Sequence, residues 1–287
     1  MRPLRFAFVK ANYYNRQAAM KPKKIVYYND PLNDDFAGNN IKDTPFPKKL
    51  KYRHPKNPIW WFFSELFYHF LAVPILWLVG KLGYGVKVIG KKNVRAFWRR
   101  GVFFYGNHTQ ITDAWIPQCF FGRWRRSFIM ADKDAISIKG IRTFVMMLGC
   151  LPMPDAAHAA DFKEAVAYHY HHGKGIVVYP ERHIWPYATH IRPFTDDPFT
   201  YPAELGAPVV PFCTTYRKAR FFGDRRPPKM TVYISRPIYP DMDKSLPERK
   251  KELRDRVYQF MLDKASEEEN IEYIAYIKKE EPHASNE

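Results

Sequence analysis

Asn107 and His108 follow an apolar run, "VFFYG", and Asp113 stands five positions after the histidine. A neutral imidazole takes a proton from a hydroxyl, and a carboxylate on its other ring nitrogen fixes the tautomer and stabilises the imidazolium that forms. Such a pair needs no serine beside it, because the hydroxyl can belong to the substrate. The same spacing also suits an aspartate that caps the turn after a strand, with the histidine incidental. A second charged group lies in "IVVYPERHIWPYATHIRPF", where Glu181, Arg182 and His183 follow a strand-like run and Arg192 closes the loop. Arginines beside such a loop suit a phosphate, which they grip through charge-assisted forks.

Other chemistries are less well supplied. His169 and His172 stand three apart at a helix end closed by Gly173, where polar groups are ordinary partners of the helix dipole, and no metal site is read from them. A serine hydrolase would need a G-x-S-x-G elbow, and the sequence has none. Cys119, Cys150 and Cys213 are far apart in apolar surroundings without zinc-site spacing, so reduced core thiols and a reducing compartment are expected.

The elements that must carry these residues alternate. Strands are expected at 85–89, 102–106, 127–131, 175–180, 208–214 and 230–235, with helices at 113–120, 137–148, 159–171 and 248–263. Alternation of this kind predicts an α/β fold with a mainly parallel central sheet flanked by helices. It also sets His108 and Glu181 beyond the carboxyl ends of two strands, where active sites of such sheets gather. A last segment, "IEYIAYI" (271–277), is expected to dock as a helix.

Before the α/β region, "IWWFFSELFYHFLAVPILWLV" (59–79) is long enough for a bilayer. Ser64, Glu65, Tyr68 and His69 share one helical face, and Pro74 should kink the segment. We therefore expect a helix lying in the membrane interface, with Trp60, Trp61 and Trp77 at headgroup level. The formal net charge is +17, and residues 1–57 carry 13 Lys/Arg against 4 Asp/Glu, whereas residues 240–287 carry 9 against 13. A basic arm and a basic middle suit an anionic surface. Nucleic acid is a poorer fit, because the aromatic residues cluster in apolar runs and do not interleave with Lys or Arg. The N-terminal "MRPLRFAFVKANYYNRQAAM" lacks the continuous apolar core of a secretory signal.

Four stretches, in order, resemble the glycerolipid acyltransferase family of 1-acylglycerol-3-phosphate and lysophospholipid acyltransferases. Asn107-His108 with Asp113 matches its N-H-x-x-x-x-D block. "MADKDAISIKGIRTFVMMLGCLPM" (130–153) is similar to the second block region, with Lys133 where relatives often carry a lysine. "VVYPE" matches the opening of the third block, and "GAPVVPF" matches the fourth. Relatives usually continue the third block as Glu-Gly-x-Arg. Here Arg182 stands at the glycine and Ile184 at the arginine, and Pro154 and Asp155 follow the second block where an arginine is usual. Arg182, Arg192 and Lys133 are left to meet the acceptor's phosphate.

The resemblance implies transfer of a fatty acyl group from acyl-CoA or acyl carrier protein to a lysophospholipid hydroxyl, most simply that of 1-acylglycerol-3-phosphate, in phospholipid biosynthesis. His108 would be the general base, Asp113 its orienter, Asn107 a loop-positioning or oxyanion residue, and Glu181 an organiser of the acceptor site. No metal and no cofactor are implied. "IRTFVMMLGCLPM" (141–153) would wall the acyl groove, its methionines adapting to a flexible chain. The chain then divides into a basic irregular arm (1–57), an aromatic membrane-associated helix (58–84), an acyltransferase domain (85–263) and an acidic tail (264–287), held at an anionic membrane on its cytoplasmic face. An inactive lipid-binding relative, a lipid hydrolase and a nucleic-acid-binding protein are the competing readings.

Overall fold

Alternate residues of the central strands point to opposite faces of the sheet, and both faces are apolar. Phe103 and Tyr105 of β3 (Val102–Gly106) pack on one side with Ile176 and Val178 of β6 (Gly175–Val178). Val102, Phe104 and Val177 pack on the other. Strands buried on both faces read as continuous apolar runs, which is why "VFFYG" and "GIVV" show no polar alternation. The computed structural model describes residues 22–37, 58–97, 100–122, 126–136, 142–220, 226–267 and 270–279.

Seven strands form the main sheet. Besides β3 and β6 they are β2 (Lys87–Ile89), β4 (Ser127–Ala131), β5 (Cys150–Pro152), β7 (Val209–Arg217) and β8 (Lys229–Ile234), in the order β2-β8-β7-β3-β6-β4-β5. All neighbours are parallel except β7 and β8, which pair antiparallel. The fold is thus the expected mainly parallel α/β sheet. On one face lie α3 (Ala159–His171), α4 (Thr200–Leu205) and α5 (Leu246–Ala265). α5 opens on a capping box of Ser245 and Glu248 and buries Leu253, Val257 and Met261 at four-residue spacing.

α1 (residues 58–82) runs as α-helix Pro58–Leu66, a π-helical stretch Phe67–Ala72 and α-helix Val73–Leu82. The wider winding precedes Pro74, which cannot donate to the preceding turn. α2 (Arg142–Met147) lies beside it, with Phe144 5.8 Å from Phe67 between ring centres.

Three expectations are corrected. Residues 113–120 do not form one helix. A 3₁₀ turn, Ile111–Ala114, is followed by a π turn, Pro117–Phe121. The presumed helix at 271–277 is a strand, β9 (Ile274–Lys278), paired in parallel with β1 (Lys24–Tyr28), so the arm is not irregular throughout. Seven residues rich in Ile and Tyr are too short to hold an isolated helix and favour a strand once a partner is available. The stretch 141–153 holds β5 as well as α2. Residues 1–21, 38–57, 137–141 and 280–287, which carry the rest of the arm, part of an expected helix and the end of the tail, lie outside the described residues.

Candidate active site

β3 and β6 are neighbours, with Tyr105 opposite Val178, so the chains leaving them emerge side by side. His108 and Glu181 are therefore brought together by register alone. Gly106 makes the exit of β3 possible, since a β-carbon there would run into the Phe212 ring. Asn107 is buried, donating from its amide nitrogen to the Thr214 carbonyl at 2.9 Å and accepting from the Thr214 N–H at 2.8 Å. This pins the loop to β7 and occupies both polar ends of the side chain. The part expected of Asn107 at a developing oxyanion is not supported; it holds the loop.

Asp113 both caps the turn and meets the histidine. Its Oδ2 accepts from the backbone N–H of Thr109 at 2.6 Å and of Gln110 at 2.8 Å, capping the turn, and lies 3.2 Å from His108 Nδ1. The carboxylate is 1% exposed and the imidazole 15%. A carboxylate only accepts, so Nδ1 carries the proton and Nε2 keeps its lone pair for a hydroxyl. The imidazole stacks on Tyr179, with centroids 4.4 Å apart and planes at 18°. Burial, reinforced by the Asp113 charge, drives the Tyr179 phenol well above its usual range, so it stays a neutral donor to the Asp113 carbonyl. Sequence reasoning missed Tyr179, although it lies directly before the Pro-Glu of "VVYPE".

Glu181 accepts from the backbone N–H of His108 at 2.9 Å and from the backbone and guanidinium of Arg192 at 2.9 and 3.1 Å. Glu181 and Arg192 are both buried. Arg192 also donates to the His183 carbonyl and lies over the Trp185 ring at 4.8 Å. Its expected grip on an acceptor phosphate is thus corrected, because the guanidinium is enclosed within the loop under His108. A buried carboxylate requires such a partner. Arg182, by contrast, is exposed, and with Tyr187 it is one of two non-glycine residues of positive φ (64° and 59°) among the described residues. Lys133 heads the 3₁₀ turn Lys133–Ile136, half-buried after β4, at the same end of the sheet.

The remaining candidates lie apart. His169 is buried against Phe128, ring centres 3.7 Å apart, while His172 is exposed and bonds the Tyr168 carbonyl. Among the described residues no three His, Cys, Asp or Glu cluster as metal ligands. Burial pushes the Cys119 and Cys150 thiols up to about 12, so neither is a nucleophile at neutral pH.

α1 turns its polar face inward. Arg126, buried between helix and sheet, donates to Ser64 Oγ at 3.0 Å, to Glu65 Oε1 at 3.2 Å and to the Met146 and Met147 carbonyls. Trp61 and Tyr68 enclose its guanidinium at 4.9 and 5.2 Å. Further along, Gly80 packs against Phe120 and its carbonyl accepts from Val86 N. Between these anchors Val73, Pro74 and Trp77 face Lys91 and Arg95 across a cavity of about 880 Å³. The opposite face leaves Ile59, Phe62, Phe63, Phe70, Ile75 and Leu82 more than half exposed.

Comparison with known proteins agrees with this geometry. The Acyltransferase family model matches residues 85–215, from just before β2 into β7. No match is found among curated proteins. Among solved structures the chain is similar to the crystal structure of the 1-acyl-sn-glycerophosphate (LPA) acyltransferase PlsC from Thermotoga maritima, with a TM-score of 0.50 and 18% identity. That match covers 72% of this chain and 94% of the other, and at such identity the likeness is one of fold. Residues 85–215 thus match the Acyltransferase family model, carry four ordered motifs that resemble those of glycerolipid acyltransferases, and share their fold with PlsC.

Proposed function

We propose that this acyltransferase moves a fatty acyl group from an acyl thioester, on coenzyme A or acyl carrier protein, to the hydroxyl of an anionic lysophospholipid such as 1-acylglycerol-3-phosphate. The observation that carries the reading is His108, its Nδ1 held by buried Asp113 and its ring partly open at the carboxyl end of β3. His108 Nε2 takes the acceptor's hydroxyl proton as the oxygen attacks the thioester carbonyl. The tetrahedral adduct collapses, the C–S bond breaks, and the imidazolium returns the proton to the leaving thiolate. Asp113 stabilises the transient imidazolium. No acyl-enzyme forms, since the buried thiols are poor nucleophiles and the nucleophilic oxygen is the acceptor's own.

Arg182 supplies the positive charge for the acceptor's phosphate. It is exposed next to Glu181, which holds the His108 backbone, and has a left-handed backbone at the place where relatives carry glycine. Lys133, at the same end of the sheet, adds to that field. The apolar row of α1 seats the enzyme on an anionic membrane at the cytoplasmic face, where thioester donors are made. α1 is anchored from Trp61 to Gly80, so it lies along the bilayer surface and does not cross it. Phe144 of α2, about half exposed beside Phe67, extends this apolar row.

The test is transfer from radiolabelled palmitoyl-CoA and palmitoyl acyl carrier protein to a panel of lysophospholipids and glycerol 3-phosphate in vesicles. Transfer to 1-acylglycerol-3-phosphate is expected, falling about 10²–10⁴-fold in His108→Ala. Absence of transfer from either donor, or equal transfer by the folded variant, would reject the mechanism.

A further inference from the structure

The loop beneath His108 is held from outside the acyltransferase region. β1 and β9 pair in parallel from Lys24–Ile274 to Tyr28–Lys278, and both strands lie beyond residues 85–215. An isolated two-stranded ribbon is marginal in water, so this one must gain its stability elsewhere. It gains it from Trp185, which is fully buried. Tyr276 stacks on the indole at 4.8 Å, Tyr28 meets it at 4.7 Å and Phe36 at 5.2 Å. The indole Nε1–H donates to the Asp34 carbonyl at 2.7 Å, Phe36 N donates to the Ile184 carbonyl at 3.3 Å, and Tyr276 Oη donates to the Pro186 carbonyl at 2.8 Å.

From the other side, the same loop holds both backbone polar groups of His108. Trp185 N donates to the His108 carbonyl at 3.1 Å, and Tyr187 N donates to the Thr109 carbonyl at 3.0 Å. Glu181 accepts from His108 N, and the Arg192 that fixes Glu181 lies over the Trp185 ring. The two left-handed residues, Arg182 and Tyr187, flank Trp185 in this loop. Such conformations persist where surrounding structure over-determines them, and the ribbon is that surrounding structure.

We propose that Trp185 is a positioning residue for His108, and that the β1–β9 ribbon is a strap that sets the angle of the imidazole through it. The inference rests on His108 being the base. Misplacement of a catalytic group by about 1 Å can cost on the order of 100-fold in rate. Because the strap acts on the base through the loop backbone, its loosening lowers kcat and leaves KM in place.

The test compares wild type with Trp185→Phe, which keeps the ring and loses the Nε1–H, and with Tyr276→Ala, which removes the stacking partner. Rates are expressed per folded molecule, measured by circular dichroism and thermal melting. The same proteins, labelled with ¹⁵N-histidine and assigned with His108→Ala, report the tautomer and titration of His108 by NMR. We expect kcat to fall about tenfold or more in Tyr276→Ala and less in Trp185→Phe, with KM for both substrates within twofold. The His108 resonances should shift in both variants. Unchanged kcat per folded molecule with unchanged His108 resonances would reduce the ribbon to a stabilising element and overturn the proposal. So would a rise in KM alone. If wild type transfers no acyl group, the functional reading falls, and the resonances still decide whether the strap positions the histidine.

Discussion

Three donors converge on one oxygen of Asp113, and two of them are backbone amides of the turn that the aspartate caps. Turn and imidazole are therefore held by the same atom, and the imidazole cannot rotate away without loosening the turn. Arg182 is the other residue at which local conformation and chemistry meet. Its left-handed backbone costs roughly 1–2 kcal/mol against glycine. Arg182→Gly should therefore leave the melting temperature unchanged or raise it. The lost charge-assisted contact should raise KM for 1-acylglycerol-3-phosphate about tenfold, about 1.5 kcal/mol's worth, and leave KM for an uncharged monoacylglycerol unaltered. Steady-state kinetics with both acceptors decide this, and equal effects on both would remove Arg182 from the headgroup site. At this scale the His108–Asp113 spacing was readable because its partners are local. The sequence left Asn107 between holding the loop and meeting an oxyanion, because its partner, Thr214, is 107 positions away and is reached through backbone groups that a side-chain motif does not reveal.

Among the elements, α1 shows how a helix can be apolar outside and polar within. Ser64, Glu65 and Tyr68 form a face whose spacing was visible in the sequence, but Arg126, which gathers that face against the sheet, belongs to no recognised motif. Burial alone would raise the Glu65 carboxyl. The hydrogen bond with His69 and the charge of Arg126 outweigh it, and the group falls from 4.5 to about 2. A depressed carboxyl stabilises the fold fully above its unfolded value and loses that contribution as pH falls toward the folded one. Thermal stability should accordingly decline between about pH 4.5 and 2 more steeply in wild type than in Glu65→Gln. Parallel melting curves across that window would show that Glu65 does not anchor the helix. The buried strands of the main sheet were legible as apolar runs. β5 was hidden by its brevity, and β1 and β9 were hidden because each is a strand only in the presence of the other.

For the molecule as a whole, an exposed apolar row on α1 and a formal charge of +17 address the same kind of surface. Burying a Phe side chain is worth about 1.5–3 kcal/mol, so Phe62→Glu with Phe70→Glu should weaken binding to anionic vesicles by about 100-fold or more. Folding should be unaffected, because both side chains point away from the domain. Vesicle co-sedimentation measures this, and undiminished binding would place the membrane contact elsewhere.

The ribbon has a consequence for the order in which the protein comes into being. α1 leaves the ribosome long before β9, so its apolar row can find a bilayer while the strand that completes the strap is still unmade. Domains fold as synthesis proceeds, and the β1–β9 pairing cannot close until β9 has been made, after every strand of the main sheet. On the proposed function the nascent chain would therefore meet its lipid while still idle, and turnover would wait until β9 has been released and clasps the His108 loop.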